Sequence, residues 1–216
     1  MLTDDELRYS SENRARLETH YLRSGDARQQ SGFGRSEADW ARYRSAIIAP
    51  VKRSGTFLDI GCANGLLMEC VARWGDDAGF RLEPYGIDVS DKLVRLAKHR
   101  LPHWKNRIFA ANALLWEPPT SFDFVRTELV YVPPPRRREY VERLLNHFLL
   151  SGGKLLVCSY GSSRPEGIRT EDLVREFCDW GIPIESLHET LCPQNRFVVT
   201  RVVCIASREN SSIGSA

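Results

Sequence analysis

The stretch around which this chain is organised is TFLDIGCANGLL, residues 56–67. A short apolar run ends in an acid, Asp59, and a turn with glycines at 61 and 65 follows. The stretch predicts a strand, a tight turn and the N-terminus of a helix. Ligands of open α/β sheets bind at such a turn, beyond the carboxyl ends of the strands. The helix is indicated by apolar residues that recur at the spacing of one helix face, at 66, 67, 70, 71 and 74.

The acid at the end of this strand indicates which class of ligand the turn binds. Free N–H groups and the dipole at a helix N-terminus favour an anion, but a pyrophosphate would also meet the Asp59 carboxylate. A cationic amino group would instead be attracted, and S-adenosylmethionine carries an ammonium, a carboxylate and no phosphate. The glycine spacing agrees, because a G-x-G-x-x-G count from Gly61 meets Ala63 and Leu66.

The turn also carries a family resemblance. Residues 59–65, DIGCANG, resemble the first motif of the class I, Rossmann-like S-adenosylmethionine-dependent methyltransferases, D/E-x-G-x-G-x-G, with Ala63 in place of the middle glycine. The resemblance extends from about Gly55 to about Ser207. It implies an α/β fold with a seven-stranded sheet in the order 3-2-1-4-5-7-6 and an antiparallel last strand. It also implies a transferase that uses S-adenosyl-L-methionine as its methyl donor.

The pattern of the remaining chain agrees with that fold. Strand and helix patterns alternate after residue 56, which indicates a mainly parallel sheet. Two strand-like runs at the end are joined by the turn CPQN, residues 192–195, and must therefore be antiparallel. The strands are predicted at 56–60, 84–88, 107–111, 123–130, 154–159, 184–191 and 197–206, and the helices at 64–74, after Ser90, around 140–148 and from a Thr170 cap to Trp180.

The N-terminal region lies outside this pattern and is predicted as a helical extension. Thr3 and Glu6 fit a capping box for a helix over 3–22, and Ser36 is predicted to cap a second helix that Pro50 ends or kinks. The polar loop between them carries Phe33 between two glycines. Either this region is a lid that forms part of the substrate pocket, or it is a helical pair packed on the sheet. The predicted domains are 1–54, the extension or lid, 55–209, the methyltransferase domain, and 210–216, a disordered tail.

Composition excludes several other classes of protein. The chain has 216 residues and a net charge of +2, which does not by itself indicate a nucleic-acid partner. No apolar run approaches the roughly 20 residues that span a bilayer, and the acidic N-terminus has no signal segment. We therefore expect a cytoplasmic protein without a membrane partner. The six cysteines form no C-x-x-C and are expected as reduced thiols. No metal site is predicted, since Pro102 interrupts any helix between His99 and His103.

Residues that would bind the donor follow the first three strands. Gly61 and Gly65 allow close approach of the backbone to the methionine part, and Asp59 would act through its charge. The resemblance places Asp88 on the two ribose hydroxyls, and a carboxylate can accept two hydrogen bonds from a cis-diol. Asn112 would accept a hydrogen bond from the adenine amine. The predicted donor-binding residues are Asp59, Gly61, Cys62, Gly65, Asp88, Val89, Asn112 and Ala113. Alternatively, the two aspartates are helix caps and the asparagine is a turn residue.

Glu128 and Tyr131, at the end of the fourth strand, are the candidate catalytic residues. The acceptor must lie behind the methyl group in line with the C–S bond, and a general base assists when the acceptor has to lose a proton. The alternative for Glu128 is a structural ion pair with an arginine such as Arg126. The stretch TELVYVP, residues 127–133, does not match N-P-P-Y, which argues against adenine-N6 methylation.

The run Arg136–Arg138 allows a second hypothesis. Three cations at a helix N-terminus are locally unfavourable, so an anionic substrate or phosphate would explain them, as would local pairing with Glu139 and Glu142. The leading hypothesis is methyl transfer to a small molecule. The alternatives are an RNA methyltransferase that contacts phosphate through Arg136–Arg138, an NAD(P)-dependent oxidoreductase, and a binding protein without catalysis. The sequence does not identify the acceptor.

Overall fold

The computed structural model describes residues 3–207, so the predicted tail at 210–216 lies outside the described residues. A seven-stranded sheet in the predicted order 3-2-1-4-5-7-6 forms its centre. The first five strands pair in parallel, and β7 runs antiparallel to both β5 and β6. The strands are β1 Gly55–Ile60, β2 Leu82–Asp88, β3 Ile108–Ala110, β4 Phe122–Glu128, β5 Leu149–Tyr160, β6 Ser186–Leu191 and β7 Val198–Ala206.

The helices begin where capping residues predict. Thr3 and Glu6 form the predicted capping box of the first helix. The Ser36 side chain accepts from the Asp39 N–H at the start of the second, and Ser90 accepts from the Leu93 N–H at the start of the fourth. The α-helices are α1 Asp4–Tyr21, α2 Glu37–Arg44, α3 Leu66–Asp77, α4 Asp91–Arg100, α5 Arg137–Arg143 and α6 Leu173–Trp180.

Several predicted element ends are wrong, among them the start of β5, which lies at Leu149 and not at residue 154. The second helix stops at Arg44 and continues as a 3₁₀ turn, because the Tyr43 carbonyl accepts a hydrogen bond from the Thr200 hydroxyl instead. β4 ends at Glu128, where its pairing with β5 ends, and the apolar residues that follow form a 3₁₀ turn, Leu129–Tyr131. α6 is capped by Asp172, whose side chain accepts from the Arg175 N–H, and not by Thr170.

The sheet is covered on both faces, so consecutive residues of β1 enter different cores. Phe57 packs on the face covered by α2 and α3, and Leu58 packs on the face covered by α5 and α6. α2 thus belongs to the core although it lies inside the predicted extension, and the domain boundary at residue 54 stays a prediction. The residues that α2 and its following turn bury there are Trp40, Tyr43 and Ile47.

Three further features bear on the function. No helix within residues 3–207 is long and apolar enough to cross a membrane. The six cysteines are free thiols, and only Cys178 among them is exposed. In the part of the chain that the structure describes, His, Cys, Asp and Glu side chains form no cluster suited to a metal ion.

Candidate active site

The glycine turn after β1 satisfies most of its own N–H groups. Gly61 and Cys62 both donate to the Ile87 carbonyl, at 2.8 and 3.0 Å, and Ala63 donates to Asp88 Oδ2 at 2.9 Å. The chain turns through positive φ at Gly61 (77°) and also at Ala63 (48°), the position that departs from the family motif. A diphosphate needs such N–H groups free, so the turn suits a ligand without phosphate better.

Asp88 ties this turn to the end of β2. Its Oδ2 accepts from Ala63, and its Oδ1 accepts from the Ser90 N–H at 2.9 Å. Burial raises the pKa of the Asp88 carboxyl, and the two backbone hydrogen bonds oppose that rise. The residue therefore organises the loop and also lines a cavity, whereas the cap of α4 is Ser90 and not Asp88.

That cavity lies at the carboxyl ends of the strands and measures about 180 Å³. Besides strand-end residues, α1 contributes five side chains to its wall. None of these five residues was assigned to the site from the sequence, because polar side chains on an amphipathic helix are usually part of its solvent-exposed face. They are Ser10, Asn13, Arg16, Leu17 and Tyr21. The predicted site residues that line the cavity are Gly61, Asp88, Val89, Asn112, Ala113, Glu128 and Tyr131.

Three predicted donor-binding residues lie outside the cavity wall. Asp59 is fully buried, and its Oδ1 accepts from Arg126 Nη1 at 3.1 Å. Cys62 is buried in the core beside α4, where burial raises the pKa of its thiol well above the usual value. Gly65 begins α3, and a Cβ there would come within 2.6 Å of Leu101 Cδ1, so this glycine serves helix packing.

Arg126, on β4, is the centre of a buried ionic cluster that sequence reasoning placed only as a partner for Glu128. The guanidinium is hydrogen-bonded to Asp59, to Glu128 and to the hydroxyls of Tyr131 and Tyr160, both at 3.1 Å. Burial opposes the charge, but these neighbours raise the pKa of Arg126 well above its usual value. Burial raises the pKa of Asp59 to about 6 against the attraction of Arg126. Among the described residues, Asp59 Oδ2 has no hydrogen-bond partner.

The two predicted catalytic residues belong to this cluster. Glu128 Oε1 accepts from Arg126 and, at 2.6 Å, from the Tyr131 hydroxyl, so the predicted ion pair with Arg126 is present. Burial raises the pKa of the Tyr131 phenol well above its usual value, which keeps it a donor and excludes it as a base near neutral pH. Its ring lies on Gly61, where an added Cβ would collide with it. The catalytic roles of both residues stay predictions.

Asn112 has a structural partner as well as a place on the cavity wall. Its Oδ1 accepts from the Leu114 N–H at 3.0 Å, which is the turn role that the alternative expects. A carbonyl oxygen has a second lone pair, so this bond leaves capacity for one more donor.

Comparison with known proteins identifies the family. Residues 57–153 match a family described as a methyltransferase domain. Over these residues the chain has a methyltransferase domain. The family, the sheet order and the donor predicted from the sequence are thereby confirmed. No curated protein sequence matches the chain.

Solved structures share the fold of this methyltransferase at low identity, which shows the fold alone. The N-methyltransferase NodS from Bradyrhizobium japonicum WM9, in complex with S-adenosyl-L-homocysteine, has a TM-score of 0.66 at 16% identity over 91% of this chain and 98% of NodS. The 1,6-didemethyltoxoflavin-N1-methyltransferase of Burkholderia thailandensis, with its named substrate and S-adenosylhomocysteine, gives 0.68 at 15% identity over 97% and 92%. The [4+2]-cyclase SpnF gives 0.62 at 16% identity over 94% and 95%.

In the methyltransferase, α1 is held over the cavity by polar contacts at several points. Glu18 accepts from the Ser90 hydroxyl at 2.8 Å and pairs with Lys92 at 2.7 Å. The Tyr9 hydroxyl donates to the Val130 carbonyl at 3.2 Å. Phe33, in the following loop, is buried against Trp40 and not exposed. The helix is therefore placed as a cover, and its opening as a lid stays a prediction.

The basic run of the methyltransferase is neutralised by acids. Arg136 pairs with two glutamates, Arg137 with two others, and Arg138 with one at 2.9 Å. Local pairing is the alternative to phosphate binding that the sequence allowed, and the RNA hypothesis stays a prediction. The partners are Glu6 and Glu139, Glu171 and Glu176, and Glu142.

Proposed function

We propose that this methyltransferase transfers a methyl group to a small molecule. The observation that carries the proposal is the position of α1, which encloses the strand-end cavity with side chains such as Asn13 and Tyr21. Small-molecule sites are concave and enclosed, with a few polar groups on an apolar wall. A polymer would need an open basic surface, and Arg136–Arg138 are already paired. The Burkholderia enzyme, whose structure holds 1,6-didemethyltoxoflavin and S-adenosylhomocysteine, supports the same choice.

The residues on the cavity wall suit the donor. We propose that Asp88 binds the ribose hydroxyls, because each of its oxygens accepts one N–H and keeps a second lone pair. Ile87 and Val89 give the wall an apolar surface for a base. Tyr131 covers Gly61, so we propose that its ring turns aside when the methionine part binds there. Asp59 does not contact the donor directly in this proposal. It acts by holding Arg126, to which Glu128 and Tyr131 are hydrogen-bonded.

When bound, S-adenosylmethionine supplies a methyl group whose C–S bond breaks as the bond to the acceptor forms, and the electron pair stays on sulfur. The protein orients the acceptor and excludes water from the cavity. For an acceptor that loses a proton, Glu128 is the group that would receive it, through the oxygen that accepts neither from Arg126 nor from Tyr131. Its exposed fraction of 18% keeps that carboxylate within reach of the cavity.

Calorimetry with S-adenosylhomocysteine tests the donor site. We expect the Asp88→Ala variant to bind it at least tenfold more weakly, because the ribose loses its acceptor. Asp91→Ala, an exposed position three residues further on, is the control and is expected to keep affinity within twofold. Wild-type affinity in Asp88→Ala would mean that the ribose binds elsewhere, and no heat with the native protein would remove the donor site altogether.

A screen with radiolabelled donor tests the acceptor class. Small metabolites and a mixture of RNAs would be incubated separately, and we expect label in the small-molecule fraction. Label in RNA, together with RNA affinity that falls steeply with salt, would support the RNA alternative and overturn the proposal.

A further inference from the structure

A second pocket lies next to the donor cavity and is not used by any role assigned above. It measures about 530 Å³, within the range of small-molecule sites. The loop Gly161–Ile168 and the residues around Phe33 form its walls. Ile168 lies at the rim and is 81% exposed, so it presents an apolar side chain to the pocket entrance and not to the core.

Arg44 is the unusual residue of this pocket. Only 8% of it is exposed, and its guanidinium carbon lies 3.5 Å from the centre of the Tyr160 ring and 5.2 Å from that of Trp40. Within residues 3–207, no acid or carbonyl accepts a hydrogen bond from its side chain. Aromatic rings attract a cation but offer its N–H groups no acceptor. Within the described residues, none of the Arg44 nitrogens is a fully buried atom without a partner. They are therefore open to solvent in the pocket, where an anion that enters from outside can reach them.

The chemistry of the walls narrows the anion. A planar guanidinium pairs best with a planar carboxylate through two parallel hydrogen bonds. The rings of Phe33 and Tyr160 offer flat surfaces for a conjugated molecule. Arg164 and Glu166 lie on the same wall with opposite charges, so the preference for a carboxylate rests on the planar Arg44 guanidinium and the aromatic rings.

Two tyrosines connect this pocket with the donor cavity. Tyr160 stacks on Arg44, and its hydroxyl accepts from Arg126, the partner of Glu128. Tyr21 lines the donor cavity, and its phenol lies against Gly32, which lines the second pocket. A molecule held at Arg44 would thus extend toward the donor side.

We infer that the second pocket binds the methyl acceptor, and that the acceptor is a small aromatic or conjugated carboxylic acid whose carboxylate pairs with Arg44. The inference rests on the proposed function, because it names the substrate class of that reaction.

Binding of benzoate, with benzamide as its neutral match, tests the inference. Calorimetry would be done in the presence of S-adenosylhomocysteine, with inorganic phosphate as a third probe. We expect benzoate to bind at least tenfold more tightly than either other probe. Equal affinity for benzamide would show that no charge is recognised, and tighter binding of phosphate would assign the site to a phosphate group. Either result would overturn the inference.

Two variants of α2 test whether Arg44 is the residue that binds the carboxylate. Arg44→Met retains an unbranched chain against the rings, and we expect it to weaken benzoate at least tenfold while leaving S-adenosylhomocysteine affinity within twofold. Arg42→Met, exposed on the same helix, is the matched control and is expected to bind both as the native protein does. Unchanged benzoate affinity in Arg44→Met would overturn the inference.

Two further readouts separate the possible failures. In the native protein, the Arg44 Nε–H resonance is expected to shift with benzoate and not with benzamide, which decides the case if Arg44→Met fails to fold. A resonance that does not move would overturn the inference. Loss of S-adenosylhomocysteine binding in the native protein would refute the donor site while leaving the benzoate result to be judged separately.

Discussion

Two buried arginines of this protein are stabilised in opposite ways. Arg126 is 2% exposed and is hydrogen-bonded to two carboxylates, Asp59 and Glu128, as well as to two phenols. Arg44 is 8% exposed and lies among three aromatic rings, and no acid within residues 3–207 forms an ion pair with it. Tyr160 contacts both of them.

The difference lies in where each charge finds its counter-charge. The charge of Arg126 is compensated inside the protein by Asp59 and Glu128. Replacement of Arg126 by a neutral residue would leave these two acids without a counter-charge in a region of low dielectric. The charge of Arg44 is only partly compensated by its rings, so most of its field remains available to a ligand. One arginine is therefore expected to serve stability and the other to serve recognition.

The largest expected effect tests that division directly. Arg126→Met should lower the free energy of unfolding by about 3–5 kcal/mol, because Asp59 and Glu128 lose their shared cation. Arg44→Met should lower it by no more than about 1 kcal/mol, because a methionine chain keeps the contacts with the rings. Urea denaturation of both variants measures the two values.

The exposed Arg42→Met variant sets the baseline, and we expect it within about 0.5 kcal/mol of the native protein. If Arg44→Met proved as destabilising as Arg126→Met, both arginines would be structural and the division would fail. The same result would weaken the argument for an anion at Arg44.

The next effect is a pH dependence of the free energy of unfolding, which we expect from Asp59. The pKa of Asp59 rises from 3.8 to about 6 on folding, since burial penalises its charge. Between these values the folded protein holds a proton that the unfolded chain has lost. The stability from this group is thus fully present below about pH 4 and is lost as the pH rises through 6. At about 1.4 kcal/mol per pKa unit, the change approaches about 3 kcal/mol.

The variant Asp59→Asn isolates this contribution. Denaturation at pH 4, 5, 6 and 7 should show the stability of the native protein falling relative to that of the variant over this window. Asp91→Asn, at an exposed position, serves as control and should keep a constant difference from the native protein. A constant difference in Asp59→Asn as well would mean that Arg126 holds Asp59 ionised throughout.

Local patterns in the sequence predicted the fold well. Residues 56–67 and the turn at 192–195 determine the parallel centre and the antiparallel edge, because both depend on spacing within a few residues. The errors lie at element ends that distant contacts decide. The end of α2, for example, depends on a hydrogen bond between Tyr43 and Thr200, which are far apart in the chain.

The candidate site was predicted less completely for the same reason. Residues that follow a strand end, such as Asp88 and Asn112, are placed on the cavity wall by topology alone, and the structure has them there. Asp59 was expected to face a ligand, but it is hydrogen-bonded to Arg126 on the adjacent strand, and this arginine is its counter-charge. Nor does any local pattern distinguish Arg44 from its exposed neighbour Arg42, since the rings around it come from three separate segments.

A third effect, smaller than those of Arg126→Met and Asp59→Asn, is expected from Tyr160, which contacts both arginines. Tyr160→Phe removes the hydroxyl that accepts from Arg126 at 3.1 Å and keeps the ring that lies 3.5 Å from the Arg44 guanidinium carbon. We expect the free energy of unfolding to fall by about 1.5 kcal/mol, the typical contribution of a hydrogen bond to a charged group. Benzoate affinity should stay within twofold, because the hydroxyl plays no part at Arg44. Tyr160→Leu, which removes the ring too, is the comparison variant and should weaken benzoate further. A tenfold loss of benzoate binding in Tyr160→Phe would instead mean that the two arginines act as one electrostatic unit through this phenol.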